Sequence, residues 1–451
     1  MERKEVIVVG AGPAGMSAAV KLCDMGFTDI LVIEKEASPG GVLRQCIHPG
    51  FGLTRFGKNL TGPEYKAVDE KRLYESGAEL LFSSTVMDIR QSENGGIITS
   101  VHTPEGLKEY VSDAVILASG CRETGRGFLE IPGSRPAGIF TAGTAQAMMN
   151  LKNTKVGERI VIVGSGDIGL IMARRFTLEG SQVLCVVEKA EICGGLERNR
   201  KECLEDYNIP LLTSSAISCI KGKKRVNSVT VRDRNGEEQE FFCDTVVLSA
   251  GLVPEDGMAG KDIEGLFYCG NVLYVHDLAD DVSVSGEEAA IDTAGYLISK
   301  MKGRSFDSKY SSFNVDAVRE ERKEYIAQRK KERLRESKSG KKHITCIMCP
   351  NGCRIDAESF TGGRCNKGEN YARNEKLDPK RILTAVVRVK DSSDIISVRT
   401  DRPIPKSLMM ESMKLIRGME VSSGVKAGDT VAESFILEDV KLIATCGHGS
   451  K

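Results

Sequence analysis

Val6-Ile7-Val8-Val9-Gly10-Ala11-Gly12-Pro13-Ala14-Gly15 returns later in the chain as Ile160-Val161-Ile162-Val163-Gly164-Ser165-Gly166-Asp167-Ile168-Gly169. The offset is 154 residues, and the sequence that follows keeps it. Leu31-Val32-Ile33-Glu34-Lys35 is echoed by Cys185-Val186-Val187-Glu188-Lys189, and Gly40, Gly41 and Arg44 by Gly194, Gly195 and Arg198. A single GxGxxG says little. Two of them, each behind a β-branched run and each 24 residues before a Glu, specify two dinucleotide-binding units.

Each unit has the same physical logic. Residues 5–10 are apolar at nearly every position and read as a buried parallel strand. The glycines make a tight turn, and residues 13–25 continue as a helix whose N-terminal N–H groups favour a pyrophosphate. Glu34 ends the second strand, where a carboxylate accepts from ribose hydroxyls. Residues 97–102 and 113–118 also read as strands, and residues 156–190 repeat the first unit. Thr245 to Gly251 and Gly265 to Asn271 read as further buried strands. Ser285 to Met301 reads as a helix, with Ser285 as its cap ahead of Glu287 and Glu288. Two dinucleotides in one chain imply electron transfer between them, the usual pair being a flavin and a nicotinamide.

The 451 residues can form several cores. Lys+Arg and Asp+Glu both total 63, so net charge supplies no argument for a nucleic-acid partner. Apolar runs are short and interrupted, and no membrane span is expected. Glu2-Arg3-Lys4 leads directly into the first strand, so no secretory signal is expected and the reading is cytoplasmic. The 14 cysteines then read as thiols or metal ligands rather than disulfides. Val315 to Glu336 mixes opposite charges at helical spacing, as in Asp316/Arg319, Glu320/Lys323 and Glu332/Arg335, and reads as a solvated helical linker. Ser337-Lys338-Ser339-Gly340 marks its end.

The order of motifs in the first 300 residues resembles the two-dinucleotide flavoproteins, the thioredoxin reductase-like and pyridine-nucleotide-disulfide-type oxidoreductases. On that resemblance Gly10, Gly12, Pro13, Ala14, Gly15, Glu34, Lys35 and Gly41 belong to an FAD site. Ala118 and Gly120 look like the small-residue motif leading into the NAD domain, and Gly270, Asn271 and Ser285 like the second FAD motif. Gly164, Gly166, Asp167, Ile168, Gly169, Glu188 and Lys189 look like the NAD site, with Glu188 opposing a 2′-phosphate and favouring NAD. The family usually has Asp where Asn271 stands, and an amide still accepts from a ribityl hydroxyl. Neither the redox CxxC nor the CxxxxC of disulfide reductases is present, so dithiol exchange is disfavoured. The stretch Gly40 to Tyr65 resembles flavoproteins found beside anaerobic glycerol-3-phosphate dehydrogenases, related to electron-carrying amine- and opine-oxidase subunits. The resemblance places Cys46 and His48 near the flavin. They read either as catalytic groups that tune it or relay a proton, or as a loop packed over it.

Cys346, Cys349, Cys353 and Cys365 form a C-x2-C-x3-C-x11-C run. It resembles an uncharacterised cysteine-rich domain of the same glycerol-3-phosphate systems, and the iron–sulfur segment that opens molybdopterin oxidoreductases. The four cysteines read as ligands of one metal centre. A [4Fe–4S] cluster suits the irregular spacing, and zinc is the alternative. His343 and His448 read as loop or tail histidines, with extra ligation of that centre as the alternative, and Cys446 as either a fifth ligand or none. Cys23, Cys185, Cys203, Cys219 and Cys243 read as core.

The expected fold is α/β, with two Rossmann-like three-layer domains, the NAD domain inserted in the FAD domain, and a small C-terminal cysteine-rich α+β domain. The expected boundaries are 1–120 with 248–303 for FAD, 121–247 for NAD, 304–342 for the linker and 343–451 for the four-cysteine domain. The expected function is an FAD-dependent NAD(H) oxidoreductase subunit. It would exchange electrons with a partner dehydrogenase or electron-transfer subunit. Direct oxidation of a small amine or hydroxy acid, or a flavoprotein with a structural zinc docking module, are the alternatives.

Overall fold

The computed structural model describes residues 1–337, 343–349 and 351–447. The end of the expected linker, Pro350 and His448 lie outside the described residues.

β1 (Glu2–Val9) is flanked on both sides by parallel neighbours, β2 (Ile30–Ile33) and β6 (Gly106–Leu117). Val6 pairs with Ile30 on one side and Ala114 on the other, which is why its apolar run is unbroken. α1 (Pro13–Asp24) follows the first Gly-rich turn, with Gly12 as N-cap and Pro13 pre-set for the first helical position. α2 (Gly62–Glu75), β3 (Glu79–Leu81), β4 (Thr85–Gln91) and β5 (Ile97–Thr103) complete the first half of the unit. The sheet order is β3-β2-β1-β6-β5-β4.

The second unit opens with β7 (Ile139–Thr141), α3 (Ala142–Lys152), β8 (Arg159–Val163), α4 (Asp167–Leu178) and β9 (Gln182–Val187). α5 (Glu197–Cys203) and β10 (Leu211–Leu212) follow, then the antiparallel β11 (Ser215–Gly222), β12 (Val226–Asp233) and β13 (Glu238–Phe241). β14 (Thr245–Leu248) returns to the parallel sheet, whose order is β7-β14-β8-β9-β10. The chain then re-enters the first unit. β15 (Leu266–Tyr268) pairs with β6, and α6 (Ala279–Met301) lies on α1. The two helices touch backbone to backbone, since a Cβ at Gly286 would fall 2.1 Å from the Ala14 carbonyl oxygen. α6 begins six residues before the expected start. Ser285 is therefore not its cap but a buried mid-helix hydroxyl that accepts from the Gly270 N–H at 3.0 Å. Tertiary contact, not capping, explains that serine.

α7 (Val315–Ser337) is the expected charged helix. Asp316 meets Arg319 and Glu320 meets Lys323, whereas Glu332 accepts from Gln328. It is not simply solvated, because three of its arginines are spent on backbone carbonyls and acids of the two units, as set out below. Beyond it, the hairpin β16 (His343–Thr345) and β17 (Arg354–Asp356) and α8 (Asn366–Leu377) hold the clustered cysteines. A mixed sheet then forms from β18 (Thr384–Val389), β19 (Ile395–Thr400), β20 (Glu420–Val421), β21 (Thr430–Ala432) and β22 (Leu442–Ala444), with α9 (Met409–Arg417) on it. Its core includes Leu178 from α4, so the C-terminal sheet is built onto the second unit. Buried Arg381 fastens it, donating to Asp206 at 2.7 Å and to Glu375 at 2.7 Å. Arg399 reaches the first unit at Glu64, 2.9 Å away. Among the described residues no helix is long and apolar enough to cross a membrane.

Candidate functional site

The two Gly-rich turns are the same object built twice. Gly10 has φ +99° and Gly164 φ +96°, conformations that L side chains rarely adopt. A Cβ at Gly15 would fall 1.8 Å from the Gly10 carbonyl oxygen, and one at Gly169 would fall 2.7 Å from that of Gly164. These glycines let helix pack on strand. Gly12 and Gly166 differ, because a Cβ there meets nothing within 4 Å. Each borders an open cradle at a helix N-terminus, where free N–H groups attract a phosphate. The open space and the helix N-terminus at each turn suit the charge of a dinucleotide pyrophosphate.

The carboxylates sit where the spacing put them. Buried Glu34 accepts from the N–H groups of Ala11 at 2.7 Å and Glu36 at 2.9 Å. A carboxylate has about four acceptor positions, so two remain for ribose hydroxyls. Half-buried Glu188 accepts from Ser165 N–H at 3.0 Å, Ser165 O–H at 2.6 Å and Ala190 N–H at 2.7 Å. Lys35 and Lys189 are exposed beside them. Lys189 lines a surface cavity of about 450 Å³ with Ser214, Ser215 and Arg232. Asp167 and Ile168 open α4 with their backbone. The Asp167 side chain is engaged elsewhere, accepting from Leu196 N–H and the Asn199 amide, both at 2.7 Å.

The Gly pairs seal the turns. Gly40 N–H donates to the Ala11 carbonyl, and a Cβ at Gly41 would lie 3.3 Å from Gly12 Cα. In the second unit Gly194 N–H donates to Ser165 Oγ and Gly195 N–H to the Ser165 carbonyl. Ala118 and Gly120 leave β6 next to Gly10, with the Ala118 carbonyl oxygen 2.7 Å from where a Gly10 Cβ would stand. Gly270 follows β15 and packs on Ala14. Asn271 is already engaged, since its Oδ1 accepts from His276 N–H at 3.0 Å and its side chain also bonds Cys121. Sequence reasoning assigned neither Cys121 nor His276 to this cluster. The only signal was that Cys121 follows the Ser119-Gly120 motif.

Cys46 and His48 lie where the first unit meets α3. The Cys46 thiol faces the Gln146 amide oxygen at 3.8 Å, and Gln45 donates to Gln146 and to the Gly143 carbonyl. Burial pushes the Cys46 thiol up to about 12 and brings His48 down to about 4, with Arg198 and Arg174 adding to the latter. At neutral pH the thiol stays protonated and the ring uncharged, so neither brings a charge to this interface. All 14 cysteines are free.

Cys346, Cys349, Cys353 and Cys365 are gathered in one small unit. Cys346 N–H donates to the Cys353 carbonyl at 2.9 Å, closing a knuckle. Cys365 is the N-cap of α8, and a Cβ at Gly368 would lie 3.7 Å from Cys346 Sγ, so the first turn of α8 covers that sulfur. Burial, then the nearness of the other three cysteines, pushes the Cys346 thiol up. Gathered is not converged. Among the described residues no three His, Cys, Asp or Glu side chains come together as a single ion requires. Cys446 belongs to the C-terminal sheet instead, its sulfur accepting from Ser397 N–H at 3.3 Å.

Residues 4–271 match the family described as pyridine nucleotide-disulphide oxidoreductase. Residues 366–446 match a family described only as a protein of unknown function, beginning one residue after Cys365. The thioredoxin reductase of Treponema pallidum is 26% identical over 297 residues, covering 59% of this chain and 88% of the relative. The NADH oxidase of Streptococcus pneumoniae is 25% identical over 336 residues, covering 70% of this chain and 69% of the relative. The solved thioredoxin reductase of T. acidophilum superposes with a TM-score of 0.56 at 21% identity, covering 66% of this chain and all of that one. With more than half its length matched, this chain belongs to the pyridine nucleotide-disulphide oxidoreductase family and is a flavin-dependent pyridine nucleotide oxidoreductase.

Proposed function

We propose that the chain moves electrons between NAD(H), FAD and a C-terminal four-cysteine iron–sulfur centre, and through that centre to or from a partner dehydrogenase or electron-transfer subunit. The resemblance noted above makes a glycerol-3-phosphate-type dehydrogenase the first partner to test. The observation that carries the flavin and nicotinamide part of the proposal is the duplicated cradle, with open space at Gly12 and at Gly166 and a carboxylate behind each. The flavin, when bound, supplies hydride acceptance and single-electron steps. The protein binds, orients and screens. Gly10 to Gly15 with Glu34 hold one dinucleotide, Gly164 to Gly169 with Glu188 the other, and the loop at Gln45 and Cys46 closes the first unit against α3. A neutral Cys46 and the lack of a neighbouring dithiol motif argue for electron export rather than disulfide exchange.

Glu188 supports NAD over NADP. It has three hydrogen bonds, leaving one acceptor position for a ribose hydroxyl, and its charge repels a 2′-phosphate. Flavin reduction in stopped flow is expected to be faster with NADH than with NADPH. Glu188→Ser is expected to narrow that gap by about tenfold, as loss of one charge-assisted contact does. Preference of the natural protein for NADPH would refute this assignment.

For the four cysteines, the support is their number, the closed 346–353 knuckle and the first turn of α8 lying over Cys346. Anaerobically purified protein is expected to contain iron and sulfide with a broad visible absorbance besides the flavin bands. Cys349→Ala is expected to lose that iron while keeping FAD and NADH-dependent flavin reduction. Electron delivery to a one-electron acceptor should fall much further than flavin reduction does. Stoichiometric zinc without iron would rule out the electron port.

A further inference from the structure

The helix α7 joins the two cofactor loops. At its first end, Arg319 donates to the carbonyls of Leu273 at 2.9 Å and Val272 at 2.8 Å, and to Asp256 at 2.7 Å. One turn on, Arg322 bonds Asp277 at 3.1 Å and lies over the Tyr274 ring. Tyr274 in turn stacks on His276, whose N–H holds Asn271. This end therefore grips the loop that carries the second FAD motif. At its other end Arg333 donates to three consecutive carbonyls, Cys193 at 3.0 Å, Gly194 at 3.0 Å and Gly195 at 2.7 Å. Those residues hold the second Gly-rich turn. Gly194 and Gly195 donate to Ser165, and Ser165 donates twice to Glu188. Between the two grips the helix is exposed from residue 323 to residue 332, so in that stretch only its own stiffness connects them. From Arg322 to Arg333 an α-helix spans about 16 Å.

We propose that Arg333 is a positioning residue for the nicotinamide dinucleotide site, and that α7 is a rod that sets the second Gly-rich turn from the flavin-side loop. The guanidinium fork reaches three carbonyls at once, which an ammonium on a flexible stem does not. It fixes the loop 193–195, the loop fixes Ser165, and Ser165 fixes Glu188. The nucleotide then meets a turn already in its bound shape, and less ordering is left to binding. The proposal rests on the Gly164–Glu188 site being the nicotinamide one.

The test uses the full-length, flavin-loaded protein and three variants, Arg333→Ala, Arg333→Lys and Ala327→Pro. Ala327 is exposed in the middle of α7, and proline there breaks the helix without touching either grip. Amide hydrogen exchange of residues 193–196 is measured without nucleotide, and NAD+ affinity by equilibrium titration. Flavin per chain and thermal midpoint serve as controls for folding. Arg333→Ala is expected to speed exchange in the loop and weaken NAD+ binding about tenfold at unchanged flavin content. Arg333→Lys should fall between it and the natural protein, and Ala327→Pro should reproduce Arg333→Ala. Unchanged exchange and affinity in Arg333→Ala would overturn the positioning role. Natural behaviour of Ala327→Pro would overturn the rod. If the natural protein binds no NAD+, the site assignment fails, while the exchange measurement still decides whether α7 orders the turn.

Discussion

Gly12→Val is expected to give a folded protein that has lost its flavin. The residue has an ordinary backbone conformation and an empty surround, since a Cβ there touches nothing within 4 Å. The fold therefore tolerates the side chain. The cradle does not, because the isopropyl group occupies the space a pyrophosphate needs at the N-terminus of α1. Gly15→Ala is the matched opposite. Its Cβ would stand 1.8 Å from the Gly10 carbonyl oxygen and 2.9 Å from the carbonyl carbon, both backbone atoms. It is expected to destabilise the protein by on the order of 4 kcal/mol or more, since strand and helix must separate. Absorbance spectra and thermal melts distinguish the two. Gly166→Val is the corresponding change in the second unit, and should abolish NAD(H) binding while leaving the flavin in place. Retention of full flavin absorbance by Gly12→Val would overturn the site assignment.

Asp206→Ala is expected to cost about 3–5 kcal/mol and to loosen the C-terminal sheet from the second unit. Asp206 and Arg381 are each 2% exposed in their side chains and 2.7 Å apart, with Glu375 on the other side of the guanidinium. Removing one acid leaves a buried charge only half compensated. Replacing the three together by Asp206→Leu, Arg381→Met and Glu375→Leu should cost much less, because the buried charges and their desolvation penalties vanish together. Burial works against the Asp206 carboxylate, but Arg381, Lys406 and Lys201 outweigh it and hold its pKa below the usual range. A depressed folded pKa means the contribution is full at neutral pH. It is lost only as the pH falls below about 4 and through the lowered folded value. Denaturation of the C-terminal unit at pH 7 and pH 3, with and without Asp206, checks both sign and window. Equal stability of the Asp206→Ala variant and the natural protein at pH 7 would show that the sheet docks by its apolar contacts alone.

Short-range order was legible before any tertiary contact was known. The strand–turn–helix units, their acids and the charged helix are local features, set by β-branched runs, by glycines that alone tolerate φ near +100°, and by 3.6-residue charge spacing. The pairing of Gly10 with Gly164, and of Glu34 with Glu188, follows from a repeat that needs no coordinates. Residues whose meaning depends on a distant partner were not legible. Ser285 has the chemistry of a helix cap, and only the approach of Gly270 makes it an interior acceptor. Asn271 has the chemistry of a ribityl ligand, yet His276 and Cys121 already engage it. The arginines of α7 look like solvated charges because a guanidinium has the same sequence signature whether it meets water or three carbonyls. What the sequence alone determined was two dinucleotide units, because backbone conformation at glycine and apolar periodicity are local. The joining of those units by α7, and the seating of the C-terminal sheet on α4, were decided only in three dimensions. Hydrogen bonds and ion pairs between residues far apart in the chain leave no spacing to read.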